Sequence, residues 1–448
     1  MSDRENGNRR GRRRRFSLAL GAGVAVRVAV WAALFPLNND DHLGVITWIL
    51  RHGFLPTSEV GNQTFQPPLY YLLALPWTIG RSLKFLQAFS LLLSLANLLV
   101  LHGFLRRTLL LRSDRARRQA LWLVALLPQF VIFGNFVSND ALAFLVGTLL
   151  LIQAIRYLHR PDTRSLLLLA AISGAGLLAK GTFLGFLPVP IVLILAAGAR
   201  RRWSVRARAS ALLLFCAVSL FVGSYKFLEN MARFGRPVVH NMDFHPPWMA
   251  RQQRTYRGVR SFLDADLLRL VGEPFGARAL SAYPTLLYAT FWYSYIPESN
   301  FRAVRARVPA LAGAIAGGAL LPTTVILIGV AIGAYRCRAL GRPGELSEDG
   351  FRELAGGAAL LLGFLGNLSI VLAAGVKYRA WSCFQGRLLF PSILAIAIFL
   401  GWGLDLISLR LPRAARAVEW GLVAVNVLLA AYLVIEVVSA LGIPGRVA

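Results

Sequence analysis

Long apolar runs alternate along the chain with short charged punctuation. Runs of spanning length lie near 16–37, 83–105, 119–137, 141–157, 166–180, 182–199, 209–227, 306–334, 354–374, 388–409 and 418–440. Each can cross a bilayer as a helix, so the pattern predicts an all-α polytopic membrane protein with about eleven transmembrane helices. Two stretches are long enough to fold outside the hydrocarbon, residues 38–67 and 228–304. In the first, helical spacing puts Asp40, Gly44, Thr47 and Arg51 on one face and Leu43, Ile46, Ile49 and Leu50 on the other, as in a helix lying in the membrane interface. The short run 68–80 is read as a second helix that lies in, or enters from, that interface.

Composition agrees with this reading. Apolar residues make up 56% of the 448 positions, only 16% are charged, and mean hydropathy is +0.57. The 49 Lys+Arg against 21 Asp+Glu give a net charge of +28. In a soluble protein that excess points to nucleic acid. Here the basic residues cluster in alternate short loops, at 106–118, 156–164, 200–208, 336–342 and 410–416, so the excess reads as topology, with anionic lipid headgroups as the counter-charge. The same counting puts a basic tail (1–15) and the N-terminus in the cytoplasm, and the C-terminus outside a multi-pass cell-membrane protein. The expected organisation is that tail, an N-terminal transmembrane module 16–227 containing the loop 38–67, an extracytoplasmic segment 228–304, and a C-terminal module 305–448. The first run is too long for a signal peptide and lacks a clear small-x-small cleavage site, so it is expected to stay as an anchor. Arg27 is its one charge, which means that this helix faces a protein interior or that the arginine snorkels. Cys216, Cys337 and Cys383 fall where no two share a disulfide-favouring compartment.

Candidate chemistry collects on the extracytoplasmic side. Asp40 and Asp41 would stand just above the hydrocarbon as carboxylates, and Asp140 emerges there between two crossings. Asp40 and Asp140 each have a plain alternative as a helix cap. Lys180 and Arg387 lie where outer-leaflet phosphates would sit, either as snorkelling anchors or as a clamp on phosphate oxygens, and Lys377 and Arg379 could replace them. His240, Asp243 and His245 carry ligand-competent side chains, but their spacing is not a specific metal pattern, and an acceptor-recognition loop or a plain turn fits as well. No metal site is expected and no cofactor is required, although a divalent metal remains an unsupported alternative. The aromatic set Tyr288, Phe291, Trp292, Tyr293 and Tyr295 reads as an interfacial belt that could also stack on sugars. No Walker loop or dinucleotide fingerprint is present, and acids are rare inside the runs, which argues against soluble nucleotide donors and an ion-coupled pump.

The succession Asn39-Asp40-Asp41-His42, Gly53-Phe54-Leu55-Pro56 and Gln66-Pro67-Pro68-Leu69-Tyr70-Tyr71 resembles the GT-C superfamily of polytopic membrane glycosyltransferases. The likeness runs from residue 20 to about 200. It returns at Gln385-Gly386-Arg387-Leu388-Leu389-Phe390-Pro391, which is similar to a late element of bacterial members. In kind it is similar to the protein mannosyltransferase and lipid A aminoarabinose transferase branches. The resemblance implies a GT-C-like bundle with interfacial helices in the first extracytoplasmic loop. It also implies a sugar donor on polyprenyl phosphate, attack by an acceptor hydroxyl of a protein, glycan or lipid, and inversion at the anomeric carbon. Asp40 matches the family's base, Asp41 replaces its glutamate, and Asp140 matches its second acid. Gln66 stands where relatives often have Lys or His, so phosphate binding leans on Lys180 or Arg387. The candidate substrate-binding residues are thus Gln66, Tyr70, Lys180, His245, Gln385 and Arg387. A buried aspartate with a raised pKa is expected for the base. A transporter or flippase of lipid-linked sugars and a non-catalytic subunit of an envelope-assembly complex are the alternatives.

Overall fold

A computed structural model describes residues 3–35, 40–254, 256–276, 281–294, 303–339 and 347–442, with side chains from residue 16. Its helices in chain order begin with α1 (Asp3–Ala33), α2 (His42–His52), α3 (Leu69–Ala74), α4 (Leu83–Arg107), α5 (Asp114–Leu126), α6 (Pro128–Phe133) and α7 (Asp140–His159). Next come α8 (Thr163–Ala179), α9 (Pro188–Arg200), α10 (Val205–Gly223), α11 (Tyr225–Phe234), α12 (Pro246–Gln253), α13 (Arg260–Leu263) and α14 (Arg269–Gly272). The last are α15 (Tyr283–Trp292), α16 (Ala303–Arg307), α17 (Pro309–Gly318), α18 (Leu320–Ala339), α19 (Glu348–Tyr378), α20 (Ile393–Arg410) and α21 (Pro412–Leu441). Among the described residues there is no strand.

The protein is a multi-pass membrane protein in which nine helical stretches of the described residues are long and apolar enough to span. The other two predicted runs are helical but short: α8 has 17 residues, and run 119–137 is broken into α5 and α6. Pro128 causes the break because it has no N–H to offer the Val124 carbonyl. Arg27 resolves this from α1. Its guanidinium donates to the carbonyls of Val124 (3.1 Å), Ala125 (3.0 Å) and Gly23 (3.0 Å) and to Ser94 Oγ (3.1 Å), fully buried over the Phe130 ring. The sequence left two options for this arginine, and it takes the interior one.

Helix α7 and the segment 381–410 are the most buried spans, while α10 lies at the periphery. The arginine-bearing loops gather at one end of the bundle, where the Asp405 carboxylate accepts the backbone N–H groups of Arg112 and Ser113, and Arg115 pairs with Glu419, Arg200 with Glu348 and Arg336 with Glu353. Helix α7 runs from Asp140 at the opposite end to His159 at this one. The expected aromatic belt is instead core. Tyr288, Phe291, Trp292 and Tyr293 are buried, because their polar tips find inward partners: Tyr288 donates to Ala316 O (2.6 Å), Trp292 to Thr323 Oγ1 (3.1 Å) and Tyr293 to Pro274 O (3.0 Å). Tyr295 lies outside the described residues.

Candidate active site

The acidic pair at the head of α2 is divided by helix capping. Asp41 is the N-cap: its exposed side chain accepts the Gly44 N–H at 2.9 Å, and a Cβ at position 44 would lie 2.3 Å from that carboxylate. Asp40 is thereby left one residue outside the helix, and its side chain turns inward. Its Oδ2 accepts Nη2 of Arg387 at 2.7 Å. The wheel placing Asp40 on the helix with Gly44 and Thr47 is corrected accordingly: α2 starts at His42 and buries His42, Val45, Ile46 and Ile49.

Asp140 opens α7 but does not cap it. Asn139 is the N-cap, and the buried Asp140 carboxylate instead meets Nζ of Lys180 and, at 3.3 Å, Nη1 of Arg387. Arg387 therefore forks between two carboxylates from distant parts of the chain, with its plane 4.4 Å over the Phe133 ring. Close backbone contacts hold it there. Gly386 N–H donates to Thr290 Oγ1 at 2.7 Å, and a Cβ on Gly386 would come 2.4 Å from the backbone nitrogen of Phe291. A Cβ on Gly147 of α7 would come 2.2 Å from the Pro391 carbonyl. Small residues thus press the 386–392 turn onto α7, beside Asp140.

These groups line a cavity of about 380 Å³. Its lining includes the apolar side chains of Leu184, Ile370, Val371, Ala373 and Ala374, and also Phe65, His240, Trp248, Lys377 and Tyr378. Of the expected residues, Asp40, Asp140, Gln66, Lys180 and Arg387 converge on the cavity, and Gln66 Oε1 accepts Asn139 Nδ2 at 3.3 Å. Asp41, Tyr70, His245 and Gln385 do not line it. Tyr70 is a buried strut whose hydroxyl meets Ser90 Oγ at 2.8 Å and accepts the Ser138 N–H at 3.1 Å. His245 heads α12, and Gln385 is buried beside the Arg387 turn. His240 and Asp243 form a reciprocal capping turn: Asp243 Oδ2 accepts the His240 N–H at 3.0 Å and the Tyr378 hydroxyl at 3.1 Å. His42, which the sequence reading passed over, is a cavity residue whose Nδ1 lies 2.9 Å from the Tyr71 hydroxyl. Its one signal was its place directly after the acidic pair.

The expected raised pKa is not what the site produces. Burial pushes the Asp40 carboxyl up, but the Arg387 guanidinium, helped by His42, outweighs it and holds the group below its ordinary 3.8. Burial takes His42 down to about 4 against the pull of Asp40 and Asp140, and it takes His240 down to about 4 against Asp243. Both imidazoles are neutral at pH 7. The Asp40 and Asp140 carboxylates pair with Arg387 and Lys180, and among the described residues no three His, Cys, Asp or Glu side chains converge as a metal-ligand set.

No family model and no curated protein sequence matches the chain. Solved structures do. The apo oligosaccharyltransferase of Archaeoglobus fulgidus matches with a TM-score of 0.50 at 15% identity, over 94% of this chain and 56% of that one. The chain shares its fold with the matched part of that oligosaccharyltransferase. It spans little more than half the length of that oligosaccharyltransferase. The same archaeal enzyme, AglB, in complex with an inhibitory peptide and a dolichol-phosphate matches at 0.46 and 16% identity, over 95% of this chain and 56% of that one. ArnT from Cupriavidus metallidurans bound to undecaprenyl phosphate matches at 0.40 and 15% identity, over 93% of this chain and 77% of that one.

Proposed function

We propose that this protein is a membrane glycosyltransferase that moves a sugar from a polyprenyl-phosphate donor to an acceptor hydroxyl, with inversion, on the extracytoplasmic face of the cell membrane. One observation carries the reading: Arg387 forks between Asp40 and Asp140 beside Lys180, in a cavity that also has a wall of apolar side chains. Two adjacent cations suit the phosphate of a lipid-linked sugar, and the apolar wall suits the first isoprene units. The N-terminus lies in the cytoplasm and the C-terminus outside, with the arginine loops against the inner leaflet. The acceptor is a hydroxyl of a protein, glycan or lipid.

In the donor-free protein Arg387 holds Asp40 ionised and weakly basic. A donor phosphate competes for the Arg387 guanidinium, and once it accepts those N–H groups, Asp40 loses the partner that lowers its pKa. Burial then raises the carboxyl toward the range of a working base. The acceptor oxygen attacks the anomeric carbon, its proton passes to Asp40, and the carbon–oxygen bond to phosphate breaks with its electron pair on the departing polyprenyl phosphate. Arg387 and Lys180 stabilise the charge that grows there. Asp140 holds both cations in place, and positioning supplies the rest, because the phosphate is itself a good leaving group. Asp41 acts as the cap of α2, Gln66 orients Asn139, and Tyr70, His245 and Gln385 brace the walls.

The test is incubation of the purified full chain in lipid nanodiscs with a panel of polyprenyl-phosphate sugars, following free polyprenyl phosphate. Release is expected with at least one donor. Donor that crosses a vesicle membrane without ever being cleaved would overturn the reading in favour of a carrier.

A further inference from the structure

His42 is a buried imidazole that neither the acidic chemistry nor the cation clamp uses. One of its nitrogens is accounted for: Nδ1 lies 2.9 Å from the hydroxyl of Tyr71, which is itself completely buried. Among the described residues His42 is the one partner of that hydroxyl. A buried O–H that accepted a hydrogen bond from Nδ1–H would have nowhere to place its own proton, so the tyrosine must donate and Nδ1 must accept. The hydroxyl's pKa is pushed well up, first by burial and then by neighbouring Tyr70 and Asp40, which keeps its proton in place. The imidazole proton is thus fixed on Nε2. Nε2 has no partner among the described residues, and the ring faces the cavity beside Asp40, Asp140, Lys180 and Arg387.

Resting on the glycosyltransferase reading above, we infer that His42 is a catalytic residue of that reaction: a neutral hydrogen-bond donor, set by Tyr71, whose Nε2–H meets the phosphate oxygen leaving the anomeric carbon. No proton is transferred from it. The bond to the anomeric carbon breaks, the electron pair stays on the phosphate, and the Nε2–H dipole stabilises the added charge where Arg387 and Lys180 act as full charges. An imidazolium in this place would repel both cations, and burial keeps the ring neutral well below pH 7. A neutral donor strengthens its bond as the phosphate gains charge and adds little to ground-state binding, so its effect falls on turnover.

Two measurements decide the proposal. In ¹⁵N-histidine-labelled wild-type protein the His42 signals should show a proton on Nε2 and a bare Nδ1; a proton on Nδ1 would overturn it without any assay of activity. In the donor-cleavage assay H42L should lower kcat about 100-fold while the Kd for the donor changes less than about threefold, the loss typical of one transition-state donor. H42Q, whose amide N–H can stand in for Nε2–H, should recover about tenfold of that loss. Y71F, which frees the tautomer, should lower kcat about tenfold with donor affinity kept. Wild-type kcat in H42L, or no recovery in H42Q at matched melting temperature, contradicts the role. A wild-type protein inactive with every donor strikes the glycosyltransferase reading instead, and the tautomer is then decided by the ¹⁵N signals.

Discussion

Arg387 holds the Asp40 carboxyl down and is also the proposed phosphate ligand, and these two roles can be separated by pH. In the wild type the carboxyl is depressed below 3.8, so it stays ionised through the whole physiological range and its stabilising contribution is lost only as pH falls through that depressed value. Replacing Arg387 by Met removes the chief lowering influence, so that burial, the largest effect, outweighs what His42 still contributes and raises the pKa above 3.8. The acid limb of kcat/KM should therefore move to higher pH in R387M, and donor affinity should fall at least about tenfold, as for loss of a charge-assisted pair. An acid limb at the wild-type position would detach Arg387 from Asp40. At this scale local pattern alone does not choose between Asp40 and Asp41. Which of two adjacent acids caps a helix depends on where the backbone turns, and here that is fixed by the Cβ-free Gly44 beside Asp41. The pKa of Asp40 was equally hidden, because its controlling cation lies 347 positions away in the chain.

Elements are joined in this fold by close backbone contacts at glycines and by buried cations such as Arg27. The break at Pro128 leaves the Val124 carbonyl without an intrahelical donor, and Arg27 supplies one. Arg27→Met should cost about 2 kcal/mol of stability through the orphaned carbonyls. In a P128A background the helix can satisfy Val124 itself, so the same substitution should cost clearly less; equal costs measured by denaturation in detergent would mean that Arg27 does not serve the break. Gly386→Ala places a Cβ against the Phe291 backbone at 2.4 Å, so the 386–392 turn must shift and carry Arg387 with it. A loss of about tenfold or more in kcat/KM is expected from such a displacement, and unchanged kinetics would show the turn is free to adjust. Apolar periodicity made the long helices legible, because length and hydropathy alone report burial in lipid. It could not report that run 119–137 breaks at Pro128, or that Tyr288, Trp292 and Tyr293 turn inward, since aromatic residues suit a lipid interface and a protein core equally.

For the whole molecule the arginine distribution carries the most information, since arginines of three of the basic loops, 106–118, 200–208 and 336–342, pair with acids of neighbouring helices at the end away from the cavity. If that end is cytoplasmic, an alkaline phosphatase reporter fused after residue 250 should be active and one fused after residue 204 inactive. The opposite result would invert the orientation and put the cavity on the wrong side for an extracytoplasmic acceptor. Residues from five separate regions, Asp40, Gln66, Asp140, Lys180 and Arg387, meet in one cavity. Their convergence could be expected only through resemblance to a family, because no local spacing links them. Asp40 is the group proposed to take the acceptor's proton. The most direct test compares wild type with Asp40→Asn in nanodiscs, at saturating polyprenyl-phosphate sugar and acceptor, by the rate of polyprenyl phosphate release. The account predicts release by the wild type and a loss of at least about a thousandfold in D40N, as for removal of a general base, with donor binding and melting temperature retained; release by D40N at the wild-type rate would contradict it.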